Sequence, residues 1–161
     1  MKFNKGSTLI ETILYGFLLF SFLIIVAQLI ASVLDLQKES ASTSLSSQDA
    51  MFIIKKLTNE IYQADNIQVP ANPGDVASDI SLEQAGQTHD FFLSGSNLFY
   101  NNGIVSGKLN GYGTALNSFT VRRIGNITGK PAVKIEFELQ SLILEAGEAR
   151  TANYALTAFL R

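Results

Sequence analysis

The chain has 161 residues, enough for one ordinary domain and an appendage. Hydrophobic residues make up 47% and charged residues 16%, against a usual charged share of roughly 25%, which is too apolar for a disordered chain. There is no cysteine, which excludes disulfides and thiolate metal sites, and the formal charge of −2 offers nothing to draw in a nucleic acid.

The first residues, Met1-Lys2-Phe3-Asn4-Lys5-Gly6, form a short basic lead. From 9 to 34 the chain is then almost continuously apolar. As a helix this run is about 39 Å long at ~1.5 Å per residue. A bilayer core needs only ~20 residues, so the run can cross it with tilt. Secretory signal peptides have apolar regions of ~7–15 residues that end at a small-residue cleavage site. This run is longer and passes into Asp35-Leu36-Gln37-Lys38-Glu39, which continues in helix-compatible fashion. Lys2 and Lys5 would stay cytoplasmic under the positive-inside bias, placing the residues after Asp35 outside.

A plain signal anchor is the simplest reading of such a run, and Glu11 argues against it. A carboxylate at mid-helix in a bilayer costs on the order of 2.5–3.5 kcal/mol, so an acid inside the run implies a function and a partner. The segment Gly6-Ser7-Thr8-Leu9-Ile10-Glu11-Thr12, whose Gly6 forms a Lys-Gly pair with Lys5 and whose Glu11 heads a long apolar helix, resembles the cleavage and methylation signature of type IV prepilins. The resemblance implies that a prepilin peptidase cuts between Gly6 and Ser7 and N-methylates the new Ser7 amine. It implies further that Glu11 pairs with the Ser7 ammonium of a neighbouring subunit. An acid and an amine paired in a dry helix bundle would lock register between copies. The family's usual first mature residue is Phe or Met, where this chain has Ser7. Many major pilins carry a helix-loosening Pro where this chain has Gln28.

Residues 35–48 are polar and Ser-rich without Pro or Gly, and a solvated continuation of the helix is expected. Ala50, Ile53, Ile54, Leu57, Ile61 and Ala64 then fall on one helical stripe, with Lys55, Lys56, Asn59 and Glu60 assigned to the other side. The helix is expected to stop before Pro70. Residues 66–88 read as a loop with a short strand near Ile80, which matches the variable loop of pilins in position only.

Strand signals follow. Phe91-Phe92-Leu93 and Leu98-Phe99-Tyr100 flank Ser94-Gly95-Ser96-Asn97, a hairpin with a four-residue loop. Asn102-Gly103 is a tight-turn pair. Phe119-Thr120-Val121-Arg122-Arg123-Ile124 is rich in β-branched and aromatic residues. Val133, Ile135, Phe137 and Leu139 alternate with Lys134, Glu136, Glu138 and Gln140, as in a sheet that is wet on one face. Glu145-Ala146-Gly147-Glu148 turns the chain, and Tyr154, Leu156, Ala158 and Leu160 alternate again. The expected fold class is α+β and pilin-like, with the amphipathic part of a long N-terminal helix covering an antiparallel sheet. The expected organisation is a leader at 1–6, a transmembrane and filament-core helix at 7–34, an amphipathic helix at 35–66 and a β-rich head at 67–161. This order of elements resembles the minor pilins and the J-type minor pseudopilins.

Other chemistry is sparse. His89, the only histidine, has no spaced ligand cluster around it and reads as a solvated loop residue. Asp75 and Asp79 are the nearest approach to an oxygen-ligand pair for calcium, but they lack an EF-hand pattern. Gly103, Gly107, Gly111 and Gly113 read as surface turns. Arg122-Arg123 puts its side chains on opposite faces of one strand and so makes no nucleic-acid patch. Asn126-Ile127-Thr128 has the form of a glycosylation acceptor. No catalytic constellation, cofactor or metal site is expected.

The expected function is that of a structural subunit of a type IV pilus or type II secretion pseudopilus. Its expected partners are the prepilin peptidase, other pilin-like subunits, an inner-membrane assembly platform and membrane lipid, with the N-terminus cytoplasmic and the head outside, displayed on a cell-surface filament. The alternative is a signal-anchored extracytoplasmic binding module, an adhesin or DNA receptor, which would need an apolar or basic patch on the wet sheet face.

Overall fold

A computed structural model describes residues 5–125, 129–145 and 147–161, with the side chains of 5–8 and 145 outside the description. Among the described residues one helix, α1 (Lys5–Gln63), is followed by nine strands. These are β1 (Asn66–Val69), β2 (Val76–Ala77), β3 (Asp79–Gln84), β4 (Gln87–Ser94), β5 (Asn97–Asn101), β6 (Ser106–Lys108), β7 (Thr114–Ile124), β8 (Ala132–Glu145) and β9 (Glu148–Phe159). The chain divides into two compact units, 1–39 and 40–161.

The first unit is the apolar part of α1. From Leu9 to Leu36 its large apolar side chains are exposed to the surroundings. Among the described residues it is the one helix long and apolar enough to cross a membrane.

In the second unit the strands form two antiparallel sheets, ordered β1-β3-β4-β5-β6 and β2-β7-β8-β9. Both contribute to one core with the helix stripe. Ala50, Ile53, Leu57 and Ile61 are buried with Ile80, Leu82, Phe91 and Leu98 of the first sheet and Phe119, Val121, Ile135, Phe137 and Leu139 of the second. Each buried Ile or Leu is worth roughly 1.5–3 kcal/mol, so the stripe alone holds the helix against the sheets. The α+β class is as the sequence implies.

Three local readings need correction. The stretch 66–88 is mostly sheet, because β3 and β4 pair from Asp79↔Phe92 to Gln84↔Gln87 through a two-residue turn. Both turn residues, Ala85 and Gly86, have positive φ, at 50° and 76°. That geometry is usually marked by Asn-Gly, and an Ala at positive φ costs roughly 1–2 kcal/mol, so the turn carries no recognisable signal. The next hairpin is also tighter than expected. Ser94 pairs with Asn97, which leaves Gly95 and Ser96 as the whole turn, with Gly95 at φ 59°. Finally, α1 ends at Gln63, three residues short of the expected 66. There the backbone N–H of Asp65 donates to Glu83 O at 2.8 Å, so the sheet captures the chain before any proline can stop it.

The Ser-rich stretch is only partly solvated. Ser42 and Ser46 are buried. Arg150 Nη1 donates to Thr43 Oγ1 at 2.9 Å.

Arg122 and Arg123 do lie on opposite faces, with Arg122 exposed. The Arg123 guanidinium donates to the carbonyls of Ile67, Pro70 and Ala71 at 3.0, 3.1 and 2.6 Å. It thereby pins the chain between β1 and β2 to β7, a bridge between the two sheets. Replacing Arg123 with Met would keep the stem and strand three carbonyls without their charged donor. Bonds to a charged group are worth about 1.5–3 kcal/mol, and a loss of that order is expected from thermal unfolding of the detergent-solubilised chain. Unchanged stability would refute the bridging role.

Candidate functional site

Three places hold side chains with chemical potential: the start of α1, the contact of α1 with the first sheet, and the wet face of the second sheet.

At the start of α1, Gly6 and Ser7 lie within the first helical turns. Glu11 follows one turn later among exposed Leu9, Ile10, Ile13 and Leu14. The Tyr15 hydroxyl, one turn further, donates to Glu11 Oε1 at 3.4 Å. That is a long, single bond, and it leaves a carboxylate with two oxygens incompletely matched in an apolar setting. Glu11 is thus exposed within the apolar run, and no basic side chain reaches it among the described ones.

The contact of α1 with the first sheet is the most connected polar cluster. Glu60, placed on the outer side of the helix by its sequence position, is in fact buried, its side chain 7% exposed. Lys56, one turn earlier, donates to Glu60 Oε1 at 2.7 Å. His89 Nδ1 on β4 lies 2.6 Å from Glu60 Oε2, and beside a carboxylate that nitrogen carries the proton and donates. The Tyr100 hydroxyl on β5 also reaches Glu60 Oε2, at 3.3 Å. Lys56 Nζ sits 4.2 Å from the centre of the Tyr100 ring, a cation–π contact. The expectation of a solvated His89 is thus overturned. The i, i+4 spacing of Lys56 and Glu60 was a visible signal, but His89 lies 29 residues away and meets them only through the fold.

The electrostatics follow from these contacts. Burial alone would push the Glu60 carboxyl up, but hydrogen bonds from Lys56 and His89 and their charges outweigh it, leaving the pKa below the ordinary carboxylate range. Burial first, and then the Glu60 charge, push the Tyr100 hydroxyl up. Both Glu60 oxygens already have donors, so the cluster works as a polar joint between helix and sheet.

A second joint lies nearer the start of the unit. The Asp49 carboxylate accepts the Gly111 N–H at 2.7 Å and the Thr114 hydroxyl. A Cβ on Gly111 would come 2.9 Å from Asp49 Oδ2, and one on Gly113 would come 3.1 Å from Leu45 Cδ1. These two glycines are close-approach positions against α1 rather than surface turns. A side chain at 111 would have to displace the Asp49 carboxylate, and one at 113 would need Leu45 to give by a few tenths of an ångström.

On the wet face of the second sheet, Lys134 Nζ is 2.7 Å from Glu136 Oε1, beside Ser118, Thr120 and Asn153. The Lys134 hydrogen bond holds the Glu136 carboxyl below its ordinary value. The face is mixed in charge and polar. Asp75 accepts from Asn72, and Asp79 sits in β3 opposite Phe92. Among the described residues no three His, Asp or Glu side chains gather as a metal site would require. Asn126-Ile127-Thr128 lies outside the described residues.

No protein-family model matches the chain, and no curated protein or solved structure matches it either.

The Glu60 joint makes a signed pH prediction. A carboxyl whose folded pKa lies below its unfolded value of about 4.3 adds stability above that value, and the contribution is lost as pH falls through the folded pKa. The Glu60→Gln variant should be less stable by about 1–3 kcal/mol at pH 7. Its deficit relative to the native chain should shrink below pH ~4, as seen in thermal melts across pH. A deficit independent of pH would show that the charge on Glu60 does not matter.

Proposed function

We propose that this chain is a structural subunit of a helical filament of the type IV pilin class. One observation carries the reading. A helix more than fifty residues long begins with an apolar run that no part of the protein covers, holds a lone acid near its start, and ends in an amphipathic stripe buried by a β-rich head. An uncovered apolar run of this length needs lipid or other copies of itself. The same run can use both in turn, lipid while the subunit is stored and neighbouring helices once it is assembled.

The resemblance at Gly6-Ser7-Thr8-Leu9-Ile10-Glu11 supplies the rest of the proposal. A prepilin peptidase cuts between Gly6 and Ser7 and methylates the Ser7 amine. The bond lies within the first described turns of α1. Glu11 of one subunit then receives the Ser7 ammonium of the next. Repeated head-to-tail, such a contact does not close on itself and so builds a filament. The apolar helices occupy the filament core and the two-sheet heads coat its outside. An assembly platform in the inner membrane would supply subunits from the lipid. The minor pilins and J-type pseudopilins are the members this chain most resembles.

Intact mass and N-terminal sequencing of the protein recovered from cells should show a start at Ser7, and the Gly6→Ala variant should keep Met1. With the Glu11→Ala variant, filament yield should fall at least about tenfold, since every 1.4 kcal/mol of lost pairing is a factor of ten. Normal filaments from the Glu11→Ala variant, or native protein that keeps its first six residues, would end this reading.

A further inference from the structure

In the second unit β9 has β8 on one side and no strand on the other. Its pairing with β8 runs unbroken from Gln140↔Thr151 to Ala132↔Phe159, and the register shift falls beyond it, between Gln140 and Leu144. Residues 151–160, Thr-Ala-Asn-Tyr-Ala-Leu-Thr-Ala-Phe-Leu, contain no charge, proline or glycine. From 151 to 159 the edge therefore presents a flat row of outward N–H and C=O groups with no strand partner among the described residues. Open edges in natural proteins are usually blunted by lysines, prolines or bulges, and this stretch carries none of them.

Beside the edge an apolar groove follows α1, lined by Met51, Ile54, Lys55, Thr58, Asn59 and Tyr62. At about 100° per residue Thr43, Ile54, Thr58, Met51 and Tyr62 fall on one flank of the helix. That flank is turned to β9. Arg150 Nη1, near the start of the strand, donates to Thr43 Oγ1 at 2.9 Å, and the Arg161 guanidinium, just past its end, lies 5.9 Å from the Tyr62 ring centre. The strand thus runs alongside α1 in the same direction, with the groove between its two ends. Ile54 on the helix and Tyr154 and Leu156 on the strand are only partly buried, at the margin of the core.

We propose that a strand of a different, non-identical subunit adds to the β9 edge and lays its apolar side chains in this groove. The edge fixes the occupant as an extended peptide, because only a strand matches a row of alternating backbone donors and acceptors. The groove calls for large apolar side chains at every second residue of that strand. The outward row of Thr151, Asn153, Ala155 and Thr157 calls for small uncharged ones between them. Of the residues lining the groove only Lys55 is charged, so an acid beside the apolar residues completes the match.

A second copy of this chain does not fit. Its other edge strands, β1, β6 and β2, have four, three and two residues, too few to match β9. Two copies joined through β9 itself would pair antiparallel about a two-fold axis. The α1 segments beside them would then run in opposite directions, which a filament of one polarity excludes. The choice of a non-identical subunit therefore rests on the filament reading.

In cells that make the full chain, a photo-crosslinking benzoylphenylalanine would replace Asn153 or Thr157, both outward and exposed, or Ile104 as a control 85% exposed. The first two should join the chain to one of a different mass, and the control should not. Mass spectrometry of the joined peptides should place both attachment points in one segment with apolar side chains at alternate residues. The two points should lie about four residues apart, as in a paired strand. Ala152→Lys puts a charge on the groove side of the edge, and Met51→Lys puts one in the groove without touching β9. Each should lower the cross-link yield about tenfold, and Met51→Lys should leave the thermal melt unchanged.

Cross-links to a second copy would overturn the proposal, as would attachment points scattered over several chains, or a yield that neither lysine variant lowers. The mature N-terminus and the filaments are read in the same cells. A chain that starts at Ser7 and forms filaments, yet cross-links at 153 and 157 no more than at 104, would overturn strand addition and leave the filament reading standing. A chain that keeps Met1 would overturn the filament reading, and the choice of donor with it, whatever cross-links form.

Discussion

Large apolar side chains along residues 9–36 are mostly left uncovered by the described residues, and the demands on the rest of the helix follow from that fact. Water disfavours such a surface by roughly 25 cal/mol per Å² of apolar area. The run therefore requires either hydrocarbon or copies of the same helix. Glu11 sharpens the requirement, because in hydrocarbon a lone carboxylate is unfavourable and the donor described beside it is the Tyr15 hydroxyl at 3.4 Å. A surrounding that satisfies both the leucines and the acid is a bundle of like helices that brings an amine to Glu11. That is the physical content of the filament reading, and it comes from the anchor and not from the head.

The second half of the same helix meets a different demand. It has to be fixed firmly to a folded head, and it is fixed in two ways. The apolar stripe of Ala50, Ile53, Leu57 and Ile61 is buried in a core shared by both sheets. Two acidic side chains, Asp49 and Glu60, flank the stripe and accept donors from the head. The apolar stripe supplies most of the stabilisation but little directional preference. The carboxylates supply direction, since each needs its donors at a set place along the helix and would be costly to bury without them. Arg123 does similar work between the sheets, donating from β7 to one carbonyl of β1 and two of the connection that follows it.

Patterns within a single element were legible. The apolar run, the lone Glu11, the stripe from Ala50 to Ile61 and the alternation from Val133 to Leu139 each depend on the period of one helix or strand, and the structure contains all of them. The stretch 66–88 was not legible. Its turn uses Ala85 and Gly86 where a stronger marker would have been Asn-Gly, and β1 and β2 are only four and two residues long. His89 and Glu60 were each assigned to solvent because nothing in their own neighbourhoods contradicts it.

The amino-acid order by itself determined that an uncovered apolar helix exists, that it carries an acid, and that an amphipathic continuation and several strands follow, because these depend on interactions within a few residues. Only the tertiary structure decided that the strands divide into two sheets, that Glu60 is buried against His89, and that Asp49 meets Gly111 across 62 residues. Those contacts form when the core folds and brings distant segments within hydrogen-bonding reach. A polar residue shows no periodic signal of a partner that far away, and its burial follows from where the apolar residues around it collapse.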